Sequence, residues 1–183
     1  MLMERLFTSG ILRMGPSRTD SARQAGVFNP AAIAGLSAAR ATEMDKFRWL
    51  AGEWDHENQV PPTSVSPAYT DAGVSRFSLC ENGTWICAVA ADGREMPHIT
   101  FDPFSRQWIY VLTRGSYGML RSPAGWQENR IVFTGPMTTI GIDCDWRMTW
   151  TRHGNDAFSF INEERLADGS WAYIDKWRFR RRS

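Results

Sequence analysis

No run of eighteen apolar residues occurs anywhere in the 183-residue chain, so a membrane-spanning helix is excluded. Net charge is just as scarce. Twenty-one Lys and Arg face twenty Asp and Glu, a formal balance of +1, and a nucleic-acid binder would show a marked basic excess. The short basic stretch Arg178 to Arg182 does not supply one. Cysteine is limited to Cys80, Cys87 and Cys144, an odd number without metal-ligand spacing. Neither a disulfide framework nor a metal site is indicated, and reduced thiols in a cytoplasmic protein are the expectation. Also missing are a Ser-His-Asp spacing, a nucleophile elbow, a phosphate loop, a dinucleotide fingerprint and an HExxH motif, which disfavours hydrolases, kinases and nicotinamide enzymes.

Aromatic side chains are what the chain has in quantity: nine Trp, ten Phe and four Tyr in a sequence that is 43% hydrophobic and 22% charged. That balance suits one globular domain with enough apolar surface for a core. All the Trp except Trp49 lie beyond residue 50, and residues 1–28 show no sustained apolar period, so this stretch reads as a poorly ordered extension. Its Arg5, Arg13, Arg18 and Arg23 among Ser and Gly faintly suggest a transit peptide, but it lacks the apolar core and cleavage site of a secretory signal.

Asn29 followed by Pro30 is a helix-start signal. Ile33, Leu36, Met44, Phe47 and Leu50 then recur at helical spacing, which predicts a helix to about Leu50, interrupted near Ala41-Thr42 and stopped by Gly52. The segment 29–51 is thus a helix leading into a domain at 52–183. There the pattern changes to short alternating runs separated by turn dipeptides such as Asn82-Gly83, Asp92-Gly93, Asp102-Pro103 and Asp168-Gly169. About ten strands result, from Trp54–Val60 to Ser170–Arg180. Short turns force sequence neighbours to pair antiparallel, and a ten-stranded meander removes its exposed edges by closing. The expected fold is all-β, an antiparallel up-and-down barrel preceded by a helix.

Alternation assigns faces. Trp146, Met148 and Trp150 share one side, Phe158 and Phe160 another, and in the last strand Trp171, Tyr173, Trp177 and Phe179 lie together. Rings facing the lumen either line a cavity or form a filled core plugged by the helix.

Gly52-Glu53-Trp54, between a helix and the first strand, resembles the Gly-x-Trp that opens calycin barrels, in which an Arg from the last strand lies across the Trp. Arg178 or Arg180 is the expected counterpart here. Over residues 45–183, Phe47-Arg48-Trp49-Leu50-Ala51-Gly52-Glu53-Trp54, Phe101-Asp102-Pro103, Gly135-Pro136-Met137, Trp146-Arg147-Met148-Thr149-Trp150, Asn162-Glu163-Glu164-Arg165 and Asp168-Gly169-Ser170-Trp171 resemble an uncharacterised bacterial family of lipocalin-like DUF1579 proteins. The resemblance implies a calycin-type barrel without an assigned reaction. Related nitrobindin-type barrels hold haem through a late His. The late His here, His153, falls in a predicted turn, so haem is disfavoured and no cofactor is expected.

The residues point to a small hydrophobic or aromatic ligand bound on Trp85, Trp146, Met148, Trp150, Phe158 and Phe160, with Arg114 or His98 orienting its polar end. A cofactor-independent isomerase, cyclase or lyase in the same cavity is the alternative, with His98, Glu95 and Tyr117 as candidate acids or bases. His56 is expected at a barrel rim. Arg147 opposite Glu163 or Glu164 reads as an outward ion pair, or, if inward, as a ligand-carboxylate site. A homodimer formed through Trp108 and Trp126 is a third reading.

Overall fold

The structure, a computed structural model, describes residues 30–183 except 65, 92, 94 and 140, and the side chains of Pro30, Glu95, Met96 and Arg114 are outside that description. The expected extension 1–28, the Asn29 cap and the first residue of the Asp92-Gly93 turn therefore lie outside the described residues. The chain divides into two compact units, one ending at Ala39 and the other running from Arg40 to Ser183.

Helix α1 (Pro30–Asp45) is followed by a 3-10 turn, Arg48–Leu50. The interruption expected near Ala41-Thr42 sits at Lys46-Phe47 instead, where the amides of Lys46 and Phe47 close back on Glu43 and Met44. The helical stripe is divided too: Ile33 is exposed, while Met44, Phe47 and Leu50 are buried.

Ten strands follow: β1 (Gly52–Val60), β2 (Tyr69–Cys80), β3 (Trp85–Ala90), β4 (Glu95–Asp102), β5 (Gln107–Arg114), β6 (Ser116–Ser122), β7 (Arg130–Thr139), β8 (Ile142–Arg152), β9 (Ala157–Arg165) and β10 (Trp171–Arg181). Each pairs antiparallel with its sequence neighbour, and β1 also pairs with β10, so the meander closes into the expected barrel. One end is capped by the chain around the 3-10 turn and the C-terminus. The mouth at the other end is ringed by the β1–β2, β3–β4, β5–β6, β7–β8 and β9–β10 connections.

The two residues of an antiparallel pair share a face, so the registers identify the lumen. Trp54, His56 and Asn58 of β1 meet Arg181, Phe179 and Trp177 of β10. Phe179, Trp177 and Asp175 in turn meet Phe158, Phe160 and Asn162 of β9, and Phe160 and Asn162 face Trp150 and Met148 of β8. One irregularity changes the last strand. The register slips between Tyr173 and Asp175, leaving Ile174 as an inserted residue. Trp171 and Tyr173, expected on the face of Trp177 and Phe179, are thereby turned outward: Trp171 lies under the Arg147 guanidinium at 4.5 Å and Tyr173 is exposed.

Two further expectations are corrected. Cys80 is disulfide-bonded to Cys87 across the β2–β3 turn, with Cα atoms 6.2 Å apart, so only Cys144 is a free thiol. Trp108, expected at a surface interface with Trp126, is 1% exposed and Trp126 is partly buried, because both pack on Phe47 inside the capped end.

Candidate ligand site in the open half of the barrel

The Gly-x-Trp segment builds the closed end. Trp54 is fully buried, donates its indole N–H to Leu50 O at 2.8 Å and carries a guanidinium 4.3 Å above its ring. That guanidinium belongs to Arg181, not to Arg178 or Arg180. Arg178 points outward to Glu57 at 3.2 Å, and Arg180 is exposed on the same outer face. Arg181 pairs with Trp54 across β1 and β10 and donates to Ala51 O and Trp49 O, which ties the strand end to the 3-10 turn. Gly52 has φ +134°, and a Cβ there would lie 2.6 Å from Arg181 Nη1, so the backbone at this position must be glycine for the guanidinium to seat.

Behind this plug the rings form a continuous stack on the β8–β10 wall. Phe158 lies 4.2 Å from Phe179 at 6°, Trp150 lies 5.2 Å from both Phe158 and Phe160, and Phe160 lies 5.6 Å from Trp177. Trp54, Phe133, Trp150, Phe158 and Phe179 are all dry.

Toward the mouth the lumen changes character. Asn58, Asn162 and Asp175, all inward, form a polar cluster. Trp146 Nε1 donates to Asn162 Oδ1 at 3.1 Å, and Asn162 Nδ2 donates to the Asp175 carboxylate at 2.8 Å. Burial pushes the Asp175 carboxyl above its ordinary value, against the opposing hydrogen bonds of Asn162, Trp177 and Asn58. Tyr110, on β5 and diametrically across the barrel, has its hydroxyl pushed up by burial and then by the Asp175 charge. Deeper in, His56 Nδ1 is 2.7 Å from Ser75 Oγ, its ring lies against Trp177 and Phe179, and its Nε2 is 3.0 Å from where a Gly73 Cβ would stand. His56 is thus an inner-wall residue rather than a rim residue. Asp175, Trp177, Leu112 and Glu164 are only partly buried, in contrast to the dry rings at the capped end.

Among the residues expected to hold ligand, Trp146, Met148, Trp150, Phe158 and Phe160 face the lumen. Trp150 and Phe158 belong to the packed half, and Trp150 Nε1 donates to the Met148 sulfur. Trp85 does not face the lumen: Ile86 and Ala88 take the inward positions of β3, and Trp85 packs edge-on against His98 on the outer surface. His98 alternates with the buried Pro97 and Ile99 and faces out with it. Tyr117 is 59% exposed on the outside of β6. Glu95 and Arg114 lie on strands bordering the mouth, but their side chains are outside the described set. Arg147 and Glu163 make an outward, bidentate pair at 2.6 and 2.7 Å. Asn58, Asn162 and Asp175 are the site residues that sequence reasoning missed.

These residues do not fit a haem. His153 lies in the β8–β9 turn, with Nε2 2.9 Å from Ser159 Oγ, and the inward His56 has Nδ1 on Ser75 Oγ and its ring edge close against the Gly73 backbone position. Among the described residues, no group of three His, Cys, Asp or Glu is placed to hold a metal ion, and no helix is long and apolar enough to cross a membrane.

No family profile and no curated protein matches the chain. Solved structures do. The chain is similar to Rv2717c from M. tuberculosis, with a TM-score of 0.53 and 10% identity over 79% of this chain and 99% of that one. At this identity the likeness shows the barrel fold alone. A protein of unknown function from the DUF3598 family of Nostoc punctiforme aligns with a TM-score of 0.40 and 14% identity, over 74% of this chain and 48% of that one.

Proposed function

We propose that this barrel, of calycin type and related to the DUF1579 proteins, binds a small hydrophobic or aromatic molecule in the open half of its lumen. The observation that supports the reading is the break in the lining: a dry ring stack gives way to a wall in which the buried amides of Asn58 and Asn162 and the partly exposed Asp175 and Trp177 sit beside Trp146 and Phe160. A mostly apolar concavity with a small number of placed polar groups is the usual form of a small-molecule site. Titration with N-phenyl-1-naphthylamine, a neutral fluorogenic probe, tests it. Saturable fluorescence at one probe per chain is the expected result, and no enhancement at any concentration would overturn it.

A second reading, a cofactor-independent isomerase, cyclase or lyase, is favoured by one observation: Asp175 is a lumen carboxyl held above its ordinary value by burial, as a general acid or base requires. With His98 and Tyr117 on the outer surface, the acid–base role passes to Asp175. Turnover of any bound molecule that Asp175→Asn abolishes while binding persists would select this reading.

The Cys80–Cys87 bond suits an oxidising compartment better than the cytoplasm expected from reduced thiols. Alkylation of protein extracted under native conditions separates the two, labelling Cys144 alone in the first case and all three cysteines in the second.

A further inference from the structure

Resting on the lumen-binding reading, we propose that the open half of the barrel selects a flat aromatic molecule bearing a positively charged amine or amidine. Its cation is held by Asp175 and Asn58, and its ring continues the stack formed by Phe160 and Trp177.

Among the described side chains at the site, the unmet hydrogen-bonding capacity is all of one kind. The Asn162 amide donates to the Asp175 carboxylate, and the Trp177 indole and Asn58 amide beside it also favour its charge; each of these groups is neutral. No Lys, Arg or His among the described residues forms an ion pair with it. A carboxylate has about four lone-pair sites, so these neutral N–H groups leave acceptor capacity open. Asn58 is 7% exposed, and its Oδ1 is buried without any hydrogen-bond partner. One wall therefore carries a buried amide oxygen with no donor and, beside it, a mostly buried carboxylate with no cationic partner among the described residues, a combination that proteins normally compensate with a cation.

Each class of ligand meets that wall differently. An apolar molecule would bury both acceptors further. An anion would be repelled by Asp175 and by Glu164, which pairs with the inward Trp146 nearer the mouth. A cation answers both acceptors at once, in surroundings where water screens the attraction weakly. The field reaches the far wall, since the Asp175 charge raises the Tyr110 hydroxyl on the opposite strand. The walls between them present rings, whose faces attract a cation as well as stack on an aromatic body: Trp146 on β8, Phe160 on β9 and Trp177 on β10.

The test uses three matched probes on the full-length protein, 2-naphthylmethylamine, 2-naphthylmethanol and 2-naphthylacetate, titrated by isothermal calorimetry at neutral pH. The amine is expected to bind at least ~10-fold more tightly than the alcohol, a margin of about 1.4 kcal/mol, with the acetate weakest. Asp175→Asn should bring amine and alcohol together while the alcohol affinity stays near the wild-type value. Equal or tighter binding of the alcohol or the acetate would overturn the charge preference and leave the lumen reading standing, as would an amine preference that survives Asp175→Asn. Failure of all three probes, together with failure of the neutral fluorogenic probe, would overturn both. Should Asp175→Asn not fold, the ranking on the wild-type chain decides.

Discussion

Trp54, Phe158 and Phe179 are 0–1% exposed at the capped end, whereas Asn58, Asn162 and Asp175 stand a few residues away along the same three strands, hydrogen-bonded and set against a mouth. Position along the barrel axis decides which lining a strand supplies. At the capped end the 3-10 turn and Arg181 cover the lumen, so rings can be packed without contact with water. Toward the mouth polar groups carry part of the lining. The capped half is not free of polar cost either: the indole N–H groups of Trp49, Trp108 and Trp126 and the Ser122 hydroxyl are buried without partners. Its aromatic burial has to outweigh them, which makes it the stability-determining half.

The largest effect should follow from removing a ring there. Phe158→Ala is expected to cost about 3–5 kcal/mol in urea unfolding, and Leu112→Ala, at a partly exposed lumen position of the open half, clearly less. Equal costs would erase the distinction between the halves. Next comes the closure: Arg181→Ala gives up the contact with Trp54 and the bonds to Ala51 and Trp49, for about 2 kcal/mol. Arg178→Ala and Arg180→Ala should stay within about 0.5 kcal/mol, and a reversed order would reassign the closing residue.

Two carboxyls at opposite ends should respond to pH with opposite signs. Burial opposes ionisation of Asp102, but Ser105 Oγ, the Phe104 and Ser105 amides and Arg40 outweigh it and hold the carboxyl below its ordinary 3.8. Its contribution is present above 3.8 and lost as pH falls through the depressed value, so Asp102→Ala should cost about 1 kcal/mol at neutral pH and less in acid. Asp175, raised by burial, binds its proton more tightly folded than unfolded. Stability from this group is therefore greatest below 3.8 and declines as pH rises through the raised value, and Asp175→Asn should remove that decline. Denaturation midpoints from pH 3 to 8 check both. The smallest effect is outside the barrel, where Glu163→Gln should lose about 0.2–1 kcal/mol, read by the same denaturation.

The barrel was legible because its turns are written in short dipeptides and its strands alternate: the ten expected runs correspond to the ten strands, although β2 and β7 run further toward the mouth than the pattern indicates. The closing Arg stands one position beyond the expected Arg180. Arg178 and Arg180 fall on the outer face, while Arg181 shares the parity of Trp177 and Phe179, which the strand pattern carries to its last residue. The same parity puts Asp175 among the lumen rings, and Asn162 follows Phe160 by two residues, as Asn58 follows His56. Amides carry neither a ring nor a charge, so the alternation of aromatic residues does not mark them. The slip at Ile174 is different in kind. No Gly or Pro marks it, so nothing local announced that Trp171 and Tyr173 would turn outward. The Cys80–Cys87 pair was hidden by the odd cysteine count, although the Glu81–Gly83 turn between them brings the two strands together.

The tryptophans themselves can report on the division. Indole ¹H–¹⁵N resonances, assigned by single Trp→Phe substitutions, should be followed while 2-naphthylmethylamine is added. The resonances of Trp146 and Trp177 are predicted to shift together and saturate, with those of Trp54, Trp108 and Trp150 unmoved. Shifts centred on Trp54 and Trp108, or equal shifts throughout, would contradict a lumen divided into a sealed half and a binding half.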